Sequence, residues 1–177
     1  MVDSREAALI ARVRMGHELA YAELLAPLLP LGARLAYGLL QDRCAAEDCV
    51  QEAALRAWRR IENLEPGRSF RPWFLGIVAN RCREARRSSW WLFSTWLPVP
   101  DDVPDVEIDW LRWADLRTAV GRLPYRLRVA IVLHFYLDMP LEDVAATLGL
   151  RIAGVKTRIN QGLRRLRTAM EAEVKDR

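Results

Sequence analysis

Strand periodicity is all but missing from this 177-residue chain. Apolar residues recur three or four apart nearly throughout, rather than at every second position, which excludes sheet-built folds and predicts an all-α protein. No stretch approaches the roughly 20 apolar residues that span a bilayer. The charged start, Met1-Val2-Asp3-Ser4-Arg5-Glu6, lacks the apolar core of a secretion signal. The expectation is a cytoplasmic protein with no membrane insertion. Metal-site spacing is missing too: Cys44, Cys49 and Cys82 are an odd number without a Cys-x-x-Cys pair, and His17 and His134 lie far from them in sequence. Cys44 and Cys49 sit about 140° apart on a helix, so they share no face, whereas a zinc site needs four ligands, several of them close together. Three buried, reduced thiols and no metal or other cofactor are expected. Nothing resembles a nucleophile–base pair or a phosphate-cradling glycine loop, so covalent catalysis is not expected either.

What is present is charge, unevenly distributed. The net charge of +4 is modest, but cations and acids occupy different stretches. In the last third, Leu141, Val144, Ala145 and Leu148 repeat at helical spacing until Gly149 stops them. A second run, Val155, Ile159, Leu163, Leu166 and Met170, follows and is expected to face the core. Around it lie Arg151, Lys156, Arg158, Arg164, Arg165 and Arg167, with no acid between Arg151 and Ala169. This is the pattern of a helix-turn-helix whose second helix carries a cationic face suited to a DNA groove.

Breaks at Pro27–Gly32, Gln41–Ala45, Asn63–Ser69, Pro98–Pro104, Leu123-Pro124, Asp138–Pro140 and Gly149 divide the helices. They predict two small helical domains, residues 1–88 and 110–177, joined by an acidic linker at 89–109. That linker begins with Trp90, Trp91 and Trp96, then carries three prolines. Asp101, Asp102, Asp105, Glu107 and Asp109 put five acids within nine residues. The tryptophans fit either packing against one of the domains or a docking patch.

Two helices of the first domain have distinct faces. From Ala45 to Ile61, the apolar side is Val50, Ala53, Ala54, Ala57, Trp58 and Ile61, and the polar side includes Glu47, Asp48, Gln51, Glu52, Arg56 and Arg59. After the loop Asn63–Ser69, a helix from Phe70 to about Arg87 buries Leu75, Val78, Cys82 and Ala85. Trp73, Gly76, Asn80, Arg83 and Arg87 fall on another side. An aromatic for stacking, an amide for a base edge and two guanidiniums for phosphates suit partly unstacked nucleic acid. A solvated basic helix with Trp73 tucked into the core fits the same residues.

The runs Ala46-Glu47-Asp48-Cys49-Val50-Gln51-Glu52-Ala53-Ala54-Leu55-Arg56-Ala57-Trp58 and Phe70-Arg71-Pro72-Trp73-Phe74-Leu75-Gly76-Ile77-Val78-Ala79-Asn80-Arg81 resemble region 2 of bacterial sigma factors. Leu123-Pro124-Tyr125-Arg126-Leu127-Arg128-Val129, Leu141-Glu142-Asp143-Val144-Ala145 and Val155-Lys156-Thr157-Arg158 resemble their region 4. The two-domain length is similar to that of the extracytoplasmic function (ECF) subfamily. The resemblance implies a protein that binds core RNA polymerase and directs promoter-specific initiation through −10 and −35 elements.

Carried onto this chain, Asp48, Gln51, Glu52 and Arg56 would meet the clamp helices of the large polymerase subunit, and the second domain would meet the flap. Asn63, Arg68, Ser69, Trp73, Asn80, Arg83 and Arg87 would melt and hold the −10 element, the loop pocketing a flipped base. Arg151, Lys156, Thr157, Arg158, Gln161 and Arg165 would contact the −35 duplex, with Arg164, Arg165 and Arg167 on phosphate. The family usually has Gly-Thr where this chain has Ala153-Gly154, which predicts a frayed or shifted helix start there. The resemblance further implies an anti-sigma partner. A stand-alone helix-turn-helix regulator is the alternative from another class.

Overall fold

The computed structural model describes residues 4–87 and 114–175, and every element among them is helical. The linker with Trp90, Trp91, Trp96 and the acids Asp101 to Asp109 lies outside the described residues. Helix α1 (Ser4–Arg14) buries Ile10 and Val13. It is followed by α2 (Glu18–Leu25), a 3₁₀ turn at Ala26–Leu28, and α3 (Leu29–Leu40). Pro30 sits in the first turn of α3, where its missing N–H has no helical partner to lose. Helix α4 (Arg43–Arg59) begins two residues earlier than the apolar pattern suggests, because Asp42 caps it: its Oδ1 accepts from the Ala45 N–H at 2.9 Å. Helix α5 (Phe70–Arg87) follows a short 3₁₀ turn, Ile61–Asn63, and a loop. The buried face of α4 is Ala46, Cys49, Val50, Ala53 and Ala57. These small side chains let it lie close to α3 and α5, where Phe70, Phe74, Leu75 and Val78 are buried.

The second half comprises α6 (Ala114–Arg122), α7 (Tyr125–Ile131), α8 (Leu141–Leu148) and α9 (Ile152–Lys175). Helix α7 widens into a π-helical turn over Val132–Tyr136, closed by Leu137 N–H on the Val132 carbonyl at 3.0 Å. Gly149, with φ of 63°, terminates α8 in the left-handed conformation that glycine adopts without a Cβ penalty.

The two halves share one continuous apolar core. A Cβ on Gly38 of α3 would come within 2.8 Å of Val132 and 3.0 Å of Tyr136. A Cβ on Gly76 of α5 would come within 2.8 Å of the Thr147 carbonyl oxygen in α8. Both glycines mark close approaches that no larger residue would allow without movement. Polar ties accompany them. Arg34 donates to the Tyr136 carbonyl at 3.0 Å, Gln41 to the Arg117 carbonyl at 2.6 Å, and the Tyr125 hydroxyl to the Ala79 carbonyl at 2.5 Å. Arg128, only 3% exposed, reaches the Leu39 carbonyl at 2.9 Å, the Leu123 carbonyl at 3.1 Å and the Gly121 carbonyl.

Four sequence expectations change. A long apolar run does exist: Glu18–Leu40 is 23 residues of nearly unbroken helix with a mean hydropathy of 1.3 in its most apolar window, enough by length and composition to cross a membrane. It serves the core instead, burying Leu24, Leu25, Leu35, Leu39 and Leu40, while Glu23 pairs with Arg5 at 2.5 Å and Arg34 binds Tyr136. Leu163 is 40% exposed. Gly162 takes the inward position, because α9 crosses α7 so closely that a Cβ there would lie 2.9 Å from Ile131. Cys44 is exposed on the first turn of α4, whereas Cys49 and Cys82 are buried and meet across α4 and α5. The first turn of α9 is formed despite Ala153-Gly154: Gly154 and Val155 N–H groups both reach the Arg151 carbonyl, at 2.9 and 3.2 Å.

Candidate nucleic-acid and polymerase interface

The loop before α5 is a tight turn with fixed ends. Glu65, Pro66, Gly67 and Arg68 form a β-turn in which the Arg68 N–H meets the Glu65 carbonyl at 3.1 Å. Pro66 presets φ, and Gly67 supplies a φ of 79°, the residue order that a type II turn requires. Glu65 and Arg68 also pair at 2.8 Å. All four residues are exposed, as is Asn63, while Leu64 is buried beneath them. Ser69, expected as a donor to nucleic acid, instead donates to the Glu6 carboxylate at 3.0 Å.

Along α5, Asn80, Arg83 and Arg87 are exposed. Trp73 is half-buried, its ring 5.7 Å from that of Phe70 and tilted by 46°. It therefore combines a core contact with partial exposure. The stripe is interrupted at Gly76, which faces α8 rather than solvent, because α5 and α8 pack there through backbone. Arg86, placed by no motif, lies with its guanidinium 5.9 Å from the Tyr125 ring centroid, and burial lowers its pKa.

On α4, Asp48 and Gln51 are exposed. Glu52 and Arg56 are tied into a network with α5: Glu52 pairs with Arg81, Arg56 with Glu84 at 2.8 Å, and Arg81 with Glu84 at 3.4 Å. The hydrogen bond that Arg81 donates to Glu52 raises the Arg81 pKa. Leu55, missed by the sequence reading, is 56% exposed on the same side as Gln51 and Glu52. An aliphatic residue three and four positions beyond exposed polar ones was the available signal.

The cationic face of α9 is open. Arg151, Lys156, Gln161, Arg164, Arg165 and Arg167 are exposed, and Arg158 is half-buried. From Lys156 to Arg167 the row extends about 16 Å along the helix, commensurate with several base pairs. The Thr157 hydroxyl donates to the Ala153 carbonyl at 2.9 Å, leaving its oxygen only as an acceptor. Arg126 of α7, a different helix, joins Gln161, Arg164 and Arg165 around an open notch. No spacing within α9 could have revealed it. Among the described residues no cluster of histidine, cysteine and carboxylate could hold a metal.

Two segments of the chain match known families. Residues 24–92 match the Sigma-70 region 2 family and residues 113–166 the Sigma-70 region 4 family. The chain is similar to the ECF RNA polymerase sigma factor RpoE of Cereibacter sphaeroides, with 30% identity over 166 residues covering 86% of this chain and 87% of that protein. It is 34% identical over 142 residues to the ECF RNA polymerase sigma factor SigE of Mycolicibacterium smegmatis, covering 76% of this chain but only 55% of that longer relative. Among solved structures, CnrH in complex with the cytosolic domain of CnrY superimposes with a TM-score of 0.71 at 24% identity, covering 96% of this chain and 99% of CnrH. RpoE in complex with the anti-sigma factor NepR from Bartonella quintana gives a TM-score of 0.64 at 24% identity, covering 85% of this chain and 96% of that one. The structural likeness bears on the fold. With both regions present in order, the chain belongs to the sigma-70 family, among its ECF members. Sigma factors bind core RNA polymerase and direct promoter-specific initiation, and the stand-alone regulator reading is not favoured.

Proposed function

We propose that residues 1–88 recognise and help open the −10 element while docking on core polymerase, that 89–109 connect, and that 110–177 grip the −35 duplex. The observation that carries this is the pairing, in one chain, of an exposed turn leading into an arginine-bearing helix with a helix-turn-helix whose second helix is cationic and free of acids from Arg151 to Ala169. Asn63, Arg68, Trp73, Asn80, Arg83 and Arg87 handle the opened strand, where stacking and phosphate contacts offset the few kcal/mol lost on unstacking a base. Ser69 acts there as a structural donor. Arg151, Lys156, Thr157, Arg158, Gln161 and Arg165 face the upstream duplex, the earlier ones reaching base edges.

Asp48, Gln51, Glu52, Arg56 and Leu55 form the face for the clamp helices, with Leu55 as the apolar anchor, and the second half meets the flap. The chain acts in the cytoplasm and contributes no covalent chemistry of its own. An anti-sigma factor is its regulatory partner, as the CnrY and NepR complexes support by analogy. Footprinting with and without core polymerase tests this reading. Protection of both elements only with polymerase, weakened by Leu55→Asp, supports it. An operator footprint by the chain alone would transfer the assignment to a stand-alone regulator.

A further inference from the structure

Helix α1 lies ahead of the segment that matches region 2, yet it holds both ends of the loop just described. At the loop's entry, Arg14 donates from Nη2 to the Leu64 carbonyl at 2.5 Å, and its Nε lies 3.9 Å from the Glu62 carboxylate. At the exit, one carboxylate oxygen of Glu6 accepts from the Phe70 N–H at 2.6 Å and from the Ser69 hydroxyl at 3.0 Å. Phe70 N–H is one of the orphan donors at the start of α5, and a carboxylate there also faces the positive end of the helix dipole. Glu6, Ile10 and Arg14 are spaced four apart and so lie along one side of α1, with Ile10 buried between the two polar grips. Between the anchored points only Glu65 to Arg68 project, already closed on themselves by the turn and the Glu65–Arg68 pair.

We propose that Glu6 and Arg14 are positioning residues for promoter recognition: they set the shape of the 65–68 turn and thereby its base discrimination at the −10 element, without touching DNA. The inference rests on the assignment of that loop to the −10 element. A surface turn held at one end only would sample orientations, and base discrimination depends on contacts placed to within fractions of an ångström. Held at both ends by one rigid helix, the turn presents a single surface.

The test is run-off transcription by the full chain with core polymerase, on templates carrying each of the four bases at each −10 position. The readout is the ratio of the preferred base to the next. Glu6→Ala and Arg14→Met should lower that ratio about fivefold or more at the position facing the turn, the scale of a lost base-reading contact. Glu6→Gln, which keeps an acceptor oxygen, should retain most of it. Glu23→Ala, which removes the exposed Arg5–Glu23 pair between α1 and α2, should leave it unchanged. Arg14→Met leaves the α5 cap intact, so it carries the test even if Glu6→Ala fails to fold. A uniform drop on all templates with unchanged ratios would overturn the proposal and leave α1 as scaffold. A wild-type chain with no base preference at any −10 position would overturn the loop assignment itself, and this proposal with it.

Discussion

Arg128 is a buried charge whose removal should cost this molecule a large share of its stability. Its guanidinium binds carbonyls in or just beyond the last turns of two helices, Leu39 in α3 and Gly121 and Leu123 around the end of α6. Cations are favoured at these helix ends by the backbone dipole as well as by hydrogen bonding. Because α3 belongs to the first half and α6 to the second, one side chain fastens the two together. Burial, with Arg86 nearby, lowers its pKa to about 9, so it is still charged at neutral pH. Arg128→Met fills much of the volume but leaves three carbonyls without this donor. At about 1 kcal/mol each, the low end for a buried unsatisfied group, the loss is about 3 kcal/mol. Arg128→Lys keeps the charge but has no fork to serve separate acceptors, and should recover only part of it. Urea unfolding followed by both far-UV circular dichroism and tryptophan fluorescence measures this. The two probes should separate in the methionine variant as the halves uncouple. Coincident curves with a loss under about 0.5 kcal/mol would refute the fastening role.

Gly76→Ala offers a test by sign. In a free helix the change stabilises by up to about 1 kcal/mol, but here the new methyl meets the Thr147 carbonyl, so a net loss of about 1–3 kcal/mol is expected by chemical denaturation. Thiol labelling of the native protein should modify Cys44 rapidly and leave Cys49 and Cys82 until unfolding, as peptide mapping would show; rapid labelling of all three would contradict the burial. Burial pushes the Tyr21 phenol up to about 12, against an unfolded value near 10. The group keeps its proton longer when folded, so its contribution is complete below pH 10 and is lost between pH 10 and 12. Tyr21→Phe should cost about 1 kcal/mol at neutral pH and flatten the alkaline loss in thermal melts; an unchanged alkaline limb would contradict the assignment.

Much of the fold was legible because helices announce themselves locally. The Val50–Ala53–Ala57 stripe, Pro66-Gly67 and Gly149 each act within a few residues, and the structure uses each of them locally. What escaped was contact between segments distant in the chain. Gly38 and Gly76 are close-approach positions only because the Val132–Tyr136 turn and α8 pack against them. Cys49 and Cys82 are 33 positions apart, so their spacing says nothing about meeting across two helices. Gly162 replaced Leu163 at the core because the α7 crossing leaves no room for a side chain, something an apolar repeat favours against. Ser69 looked like a free donor because its acceptor, Glu6, lies 63 residues earlier. The cationic face of α9 needed no partner to be recognised, whereas Arg126 became part of it only through α7.

Selection of transcribed sequences from a library randomised across both upstream elements, with core polymerase, tests the central claim most directly. The wild-type chain should enrich two separate blocks. Changing Lys156, Arg158 and Gln161 together should alter the upstream block alone, and changing Asn80 and Arg83 together the downstream block alone. No promoter-specific transcript, or a single block altered by both sets of changes, would contradict the assignment of two DNA-reading surfaces to the two halves of this chain.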